Sequence, residues 1–164
     1  MQPWERVLRQ EFRRSPRVAI VGVGNVARGD DAAGALAARA LLGGRSPLPR
    51  KVLVIDTGEV PENFTGVVRA FSPDLVVIVD SAATAGPAGA VFLVNPAEVA
   101  DEDVSTHRIP LTRLARYIRE TMGCRVLILG IEPLSLEPGS PMTPAVGKAV
   151  RRVVSVLRRA LNAG

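Results

Sequence analysis

The residues of this 164-residue chain that could do chemistry are a scattered set of acids and one histidine. Asp30 and Asp31 close the stretch GVGNVARGDD (Gly22–Asp31), and Asp56 opens DTG. Asp80 ends the apolar run LVVIV, Glu132 follows LILGI, and Glu137 lies a few residues on. His107, the only histidine, stands in STHRIP. Carboxylates and imidazole serve as ligands for divalent cations and as general acids and bases. Asp31, Asp80 and His107 offer two oxygen donors and one nitrogen donor with coordination positions left open. Such a set suits a first-row divalent metal such as zinc, iron or nickel. No two of them share a short motif, so the case depends on whether the fold brings them together.

The elements that must position them read as alternating strands and helices. Strand-like runs are Arg17–Val23, Lys51–Asp56, Asp74–Asp80, Ala90–Val94 and Arg125–Ile131. Most are continuous Val, Ile and Leu, as in strands covered on both faces. Helix-like segments are residues 3–13, Ala32–Leu42, Pro61–Phe71, Pro110–Met122 and Pro144–Leu161. Pro61, Pro110 and Pro144 suit first helical turns, and Thr143 is a ready N-cap. The pattern predicts a single α/β domain over residues 1–164 with a mostly parallel sheet, residues 1–16 adding an N-terminal helix. Only nine residues, SAATAGPAG, separate Asp80 from Ala90. A parallel crossover needs about a dozen or more, so the fourth strand should be antiparallel and lie at an edge. Sites in such sheets form beyond the carboxyl ends of the parallel strands, where Asp31, Asp56, Asp80 and Glu132 all fall. Residues 95–106 can return the chain to deliver His107 to the same rim.

Each of these residues also has a structural reading. Asp30 or Asp31 can cap the helix that follows, and Asp56 can be a turn residue. Glu132 and Glu137 flank a Pro-rich loop and can be solvated. Asp80, at the end of an apolar run, and His107, in a loop before Pro110, are harder to assign to structure alone. Several carboxylates on one rim repel one another unless a cation or proton compensates.

Other classes fit less well. Gly22-x-Gly24-x-x-Ala27 follows a strand, as a dinucleotide fingerprint should. However, Arg28, Gly29, Asp30 and Asp31 intervene before any helix, placing acids where phosphates belong. Asp56 lies 32 residues after Gly24, whereas a ribose-binding acid comes about 20 residues on. There is no Gly-x-Ser-x-Gly elbow, and Cys124 precedes a buried-looking strand, which favours an inert thiol. A non-enzymatic metal carrier would share the ligands and remains an alternative. The net charge of +5 comes with no nucleic-acid-binding signature. The basic run Lys148, Arg151, Arg152, Arg158 and Arg159 reads as the solvated face of the last helix. With 4% aromatics the core must be mainly aliphatic. No apolar run reaches the roughly 18 residues of a membrane span, and MQPWERVLRQEFRRSPR has no signal-peptide core. A lone cysteine fits a reducing cytoplasm.

Several blocks together carry a resemblance. They are VGVGNVARGDDAAG (Val21–Gly34), DTGEVPENF (Asp56–Phe64), LVVIVDSA (Leu75–Ala82), STHRIPL (Ser105–Leu111), GIEPLSLE (Gly130–Glu137) and PMTPAV (Pro141–Val146). In this order and spacing the chain resembles the nickel-iron hydrogenase maturation endopeptidases, nearest the branch serving hydrogenases of the formate hydrogenlyase type. Ala32 and Ala33 depart from the glycine often found after GDD. The resemblance implies a twisted five-stranded sheet with helices on both faces, in a monomer or weak homodimer. It also implies an endopeptidase that removes a C-terminal extension from the hydrogenase large-subunit precursor after nickel insertion. Asp31, Asp80 and His107 match the family's metal ligands, and Asp56 matches an acid placed beside substrate or metal. The nickel would come with the substrate on its own cysteine thiolates, and other divalent metals could replace it in the isolated protein. Asp56 or Glu132 would hold a water or orient His107. Nucleic acid and membrane are not expected partners.

Overall fold

In a computed structural model of the chain, residues 1–98 and 110–163 are described. Five strands form one sheet: β1 (Val18–Gly22), β2 (Val52–Asp56), β3 (Leu75–Ser81), β4 (Val91–Val94) and β5 (Arg125–Ile131). Their order is β2-β1-β3-β5-β4. The first four in that order pair in parallel, and β4 pairs antiparallel with β5 at the edge. The short connection after Asp80 therefore does what its length requires. Every residue of β1 and β3 is buried, which explains why these strands read as unbroken apolar runs rather than alternating ones.

Helices α1 (Pro3–Arg13), α2 (Ala33–Leu42), α3 (Thr65–Phe71), α4 (Leu111–Met122) and α5 (Pro144–Asn162) cover both faces. On one face Val18, Ile20, Leu75, Val77, Val79, Leu127 and Leu129 pack with residues of α1, α2 and α5. On the other, Ala19, Val21, Val76, Ile78, Val126 and Ile128 pack with Val68 of α3 and with Leu111, Leu114, Ala115 and Ile118 of α4. Short 3-10 turns, Gly29–Ala32 and Pro61–Phe64, lead into α2 and α3. Pro61 and Pro144 open their segments as predicted, whereas Pro110 is the residue before α4.

Helix α2 lies unusually close to the sheet. A Cβ on Gly34 would stand 2.0 Å from the Val79 carbonyl oxygen and 2.3 Å from that of Val23. Only glycine allows this approach, and it seats the start of α2 over the carboxyl ends of β1 and β3. From β1 the chain passes outward to β2 on one side and then returns to β3 on the other. The point where the strand order reverses is therefore between β1 and β3, where an open α/β sheet leaves its crevice.

Candidate active site

Asp31 follows β1 through the 3-10 turn, and Asp80 is the penultimate residue of β3. The two acids thus flank the switch point, and both side chains are fully buried at 0% exposure. Among the described residues, donors on both of its oxygens hold Asp31 in place. The backbone N–H of Asn25 donates to its Oδ2 at 3.1 Å, and the Ser81 hydroxyl donates to its Oδ1 at 3.3 Å. Ser81 is the neighbour of Asp80, so this bond ties the β1 acid to the end of the β3 strand. Neither Asn25 nor Ser81 is singled out by sequence reasoning. Their signal lies in position alone, one in the glycine-rich loop and one directly after Asp80. His107 falls outside the described residues. Among those described, no three His, Cys, Asp or Glu side chains are grouped to hold a metal ion.

Asp30 does a different job from its neighbour. It is also fully buried, but it does not cap α2. Its carboxylate accepts from the N–H groups of Leu134, Ser135 and Thr143 at 2.7–3.0 Å and from the Thr143 hydroxyl. Burial alone would push its pKa up, but the hydrogen bonds from Thr143, Ser135 and Leu134 outweigh that and hold it below the usual carboxylate value. Thr143 does precede α5 in an extended conformation, yet its side chain makes no cap bond. Its hydroxyl instead donates to the buried carboxylate of Asp30, a charge-assisted bond. Gly29 shares in this closure with φ +54, and a Cβ there would meet the Ser135 carbonyl oxygen at 2.7 Å.

Asp56 has its turn role. Its Oδ1 accepts from the Gly58 N–H at 3.0 Å, and its Oδ2 pairs with Arg39 Nε at 2.7 Å. Glu132 is not solvated. It is 4% exposed, and its Oε2 accepts from the N–H and hydroxyl of Thr84 at 2.8 and 2.7 Å. That grip fixes the short connection between β3 and β4. Glu137 is exposed, as expected. Cys124 is buried, and burial raises its thiol pKa, which suits an inert side chain.

The glycine-rich loop is unsuited to a dinucleotide. An anion-binding loop points its amides at phosphate, whereas here the Asn25 amide is directed at the chain's own Asp31.

This fold and these acids agree with what the chain is similar to. The family model described as hydrogenase maturation protease, HycI, matches residues 38–160. The chain belongs to the hydrogenase maturation protease family and is a peptidase. The crystal structure of the NiFe hydrogenase maturation protease HycI from Thermococcus kodakarensis is 34% identical with a TM-score of 0.87, covering 95% of this chain and 99% of that one. The solution structure of the endopeptidase HycI from Escherichia coli is 30% identical with a TM-score of 0.74, covering 85% and 87%. The E. coli hydrogenase maturating endopeptidase HybD is 25% identical with a TM-score of 0.72, covering 90% and 93%.

Proposed function

We propose that this peptidase removes the C-terminal extension of a nickel-iron hydrogenase large-subunit precursor after nickel insertion, with Asp31, Asp80 and His107 as the residues that meet the nickel. The observation that carries the reading is the pair of fully buried carboxylates, Asp31 and Asp80, flanking the switch point of a maturation-protease fold. One carboxylate in the turn after β1 and one at the end of β3 lie on the same rim, and carboxylate oxygens joined by one imidazole nitrogen suit divalent nickel. The ion belongs to the substrate. Held by Asp31, Asp80 and His107, it would supply Lewis-acid chemistry at the scissile carbonyl or at a water.

The chain's own residues provide the frame. The Asn25 amide and Ser81 hydroxyl fix the orientation of Asp31, so that it needs no reorganisation when the precursor docks. Asp56 acts in support by holding the turn at Gly58, whose carbonyl oxygen accepts from the Gly24 N–H at 2.9 Å. Glu132 braces the connection behind Asp80 through Thr84. A protease whose metal comes with its substrate stays silent on ordinary peptides, which accounts for the lack of a His-Glu-x-x-His motif. The single buried cysteine and a precursor assembled on nickel support a reaction in a reducing cytoplasm.

The test is incubation of the protein with a large-subunit precursor, nickel-loaded or nickel-free, followed by mass measurement of the products. Loss of a C-terminal peptide from the nickel-loaded form alone is the expected result. Equal cleavage of both forms would contradict the role of nickel, and cleavage of neither would contradict the function.

A further inference from the structure

Three loops lie at the carboxyl-end rim of the parallel strands, where Asp31 and Asp80 also lie, and each carries one large apolar side chain that the fold leaves in solvent. Val26, after β1, is 48% exposed; Val60, after β2, is 42% exposed; Leu134, after β5, is 69% exposed. These loops are tied to one another. The Gly24 N–H donates to the Gly58 carbonyl at 2.9 Å, and the Thr57 N–H donates to that of Gly22 at 2.9 Å. On the other side the Gly139 N–H donates to the Ala27 carbonyl at 2.7 Å, and the Asp30 N–H to that of Ser135 at 2.9 Å. The Leu134 N–H itself donates to the Asp30 carboxylate at 2.9 Å. The backbone of Leu134 is thus fixed by a buried charge while its side chain stays exposed. A single exposed apolar residue needs no explanation. Three on hydrogen-bonded loops at the strand-end rim that carries the buried acids are of the kind that marks an interaction surface.

Resting on the function proposed above, we infer that Val26, Val60 and Leu134 are specificity-determining contacts for the precursor, gripping apolar side chains of the extended segment that spans the scissile bond. The occupant follows from position. A chain cleaved at Asp31 and Asp80 must cross the rim that these loops build, and the backbone ties keep the apolar contacts in place before it arrives. Their contribution is to binding of the segment, which is uniform between ground and transition states, so it is read in KM and not in kcat.

The experiment is steady-state cleavage of a nickel-loaded large-subunit precursor by the wild-type protein and by Leu134→Ser, Val60→Ser and Leu42→Ser. Leu42 is 57% exposed at the far end of α2 and serves as the control for loss of surface apolarity. Leu134→Ser should raise KM about tenfold and Val60→Ser several-fold, with kcat within about twofold and Leu42→Ser unchanged. Wild-type cleavage with KM unchanged in the rim variants would overturn this inference and leave the function standing. So would a fall in kcat alone, or an equal rise in KM for Leu42→Ser. Failure of the wild-type protein to cleave the precursor would overturn the function and this inference with it.

Discussion

Asp30 and Asp31 are chemically identical neighbours with opposite tasks. Residues in a 3-10 turn are about 120° apart around its axis, so one carboxylate meets the loop from Leu134 to Thr143 while the other meets Asn25 and Ser81. Nothing in the letters of GDD separates the two, because the partners of Asp30 lie more than 100 residues away. Asp80 is different. An acid closing a wholly apolar run has few structural readings, and its place at the carboxyl end of β3 was legible directly. Of the readings open to Glu132 the solvated one fails, and its partner, Thr84, could not be read because it belongs to a connection without periodicity. Asp30→Asn should lower stability by about 2–3 kcal/mol in urea unfolding, since an amide offers nitrogen where donors already converge. The sign of the pH effect follows from its depressed pKa. The carboxylate's contribution is present above the unfolded value near 3.8 and is lost as pH falls through the lower folded value. The wild-type protein should therefore lose more stability than Asp30→Asn on acidification below pH about 4, and equal losses would show that Asp30 is not the buried anion described.

The elements themselves were readable because double-sided burial leaves a strong signal. All five strands and all five helices appear where the sequence puts them, with ends shifted by a residue or two except at α3, whose first four expected residues form the 3-10 turn Pro61–Phe64. What escaped were side-chain roles at helix ends. The Thr143 hydroxyl donates to Asp30, and its oxygen accepts no cap bond from α5. The basic face of α5 is also more than solvated charge. Arg152 pairs with Glu5 of α1, and Arg158 donates to the carbonyl oxygens of Ala40, Leu41 and Ser46 at 2.6–3.2 Å. Arg158 thereby satisfies the last carbonyls of α2, which the helix cannot satisfy itself. Arg151, Lys148 and Arg159 remain exposed as read. Arg158→Ala should cost about 1–2 kcal/mol of stability while Arg151→Ala changes it by less than about 0.5 kcal/mol. Thermal denaturation of the two variants distinguishes them.

At the scale of the whole molecule, the site is a product of topology. An order of β2-β1-β3-β5-β4 puts the reversal between β1 and β3, so residues more than 40 apart in sequence flank one crevice. The antiparallel β4 forms one edge of the sheet beside β5, and α1 packs Trp4, Leu8 and Phe12 into the core that α2 and α5 share. No helix among the described residues is long and apolar enough to cross a membrane. The central claim is that the acids at the switch point act on the precursor. It is tested most directly by mass spectrometry of a nickel-loaded large-subunit precursor after incubation with wild-type protein, Asp80→Asn or His107→Ala. The account predicts release of the C-terminal peptide by the wild-type protein and a rate lower by about a hundredfold or more for both variants, with their melting temperatures preserved. Release at the wild-type rate by Asp80→Asn would contradict it.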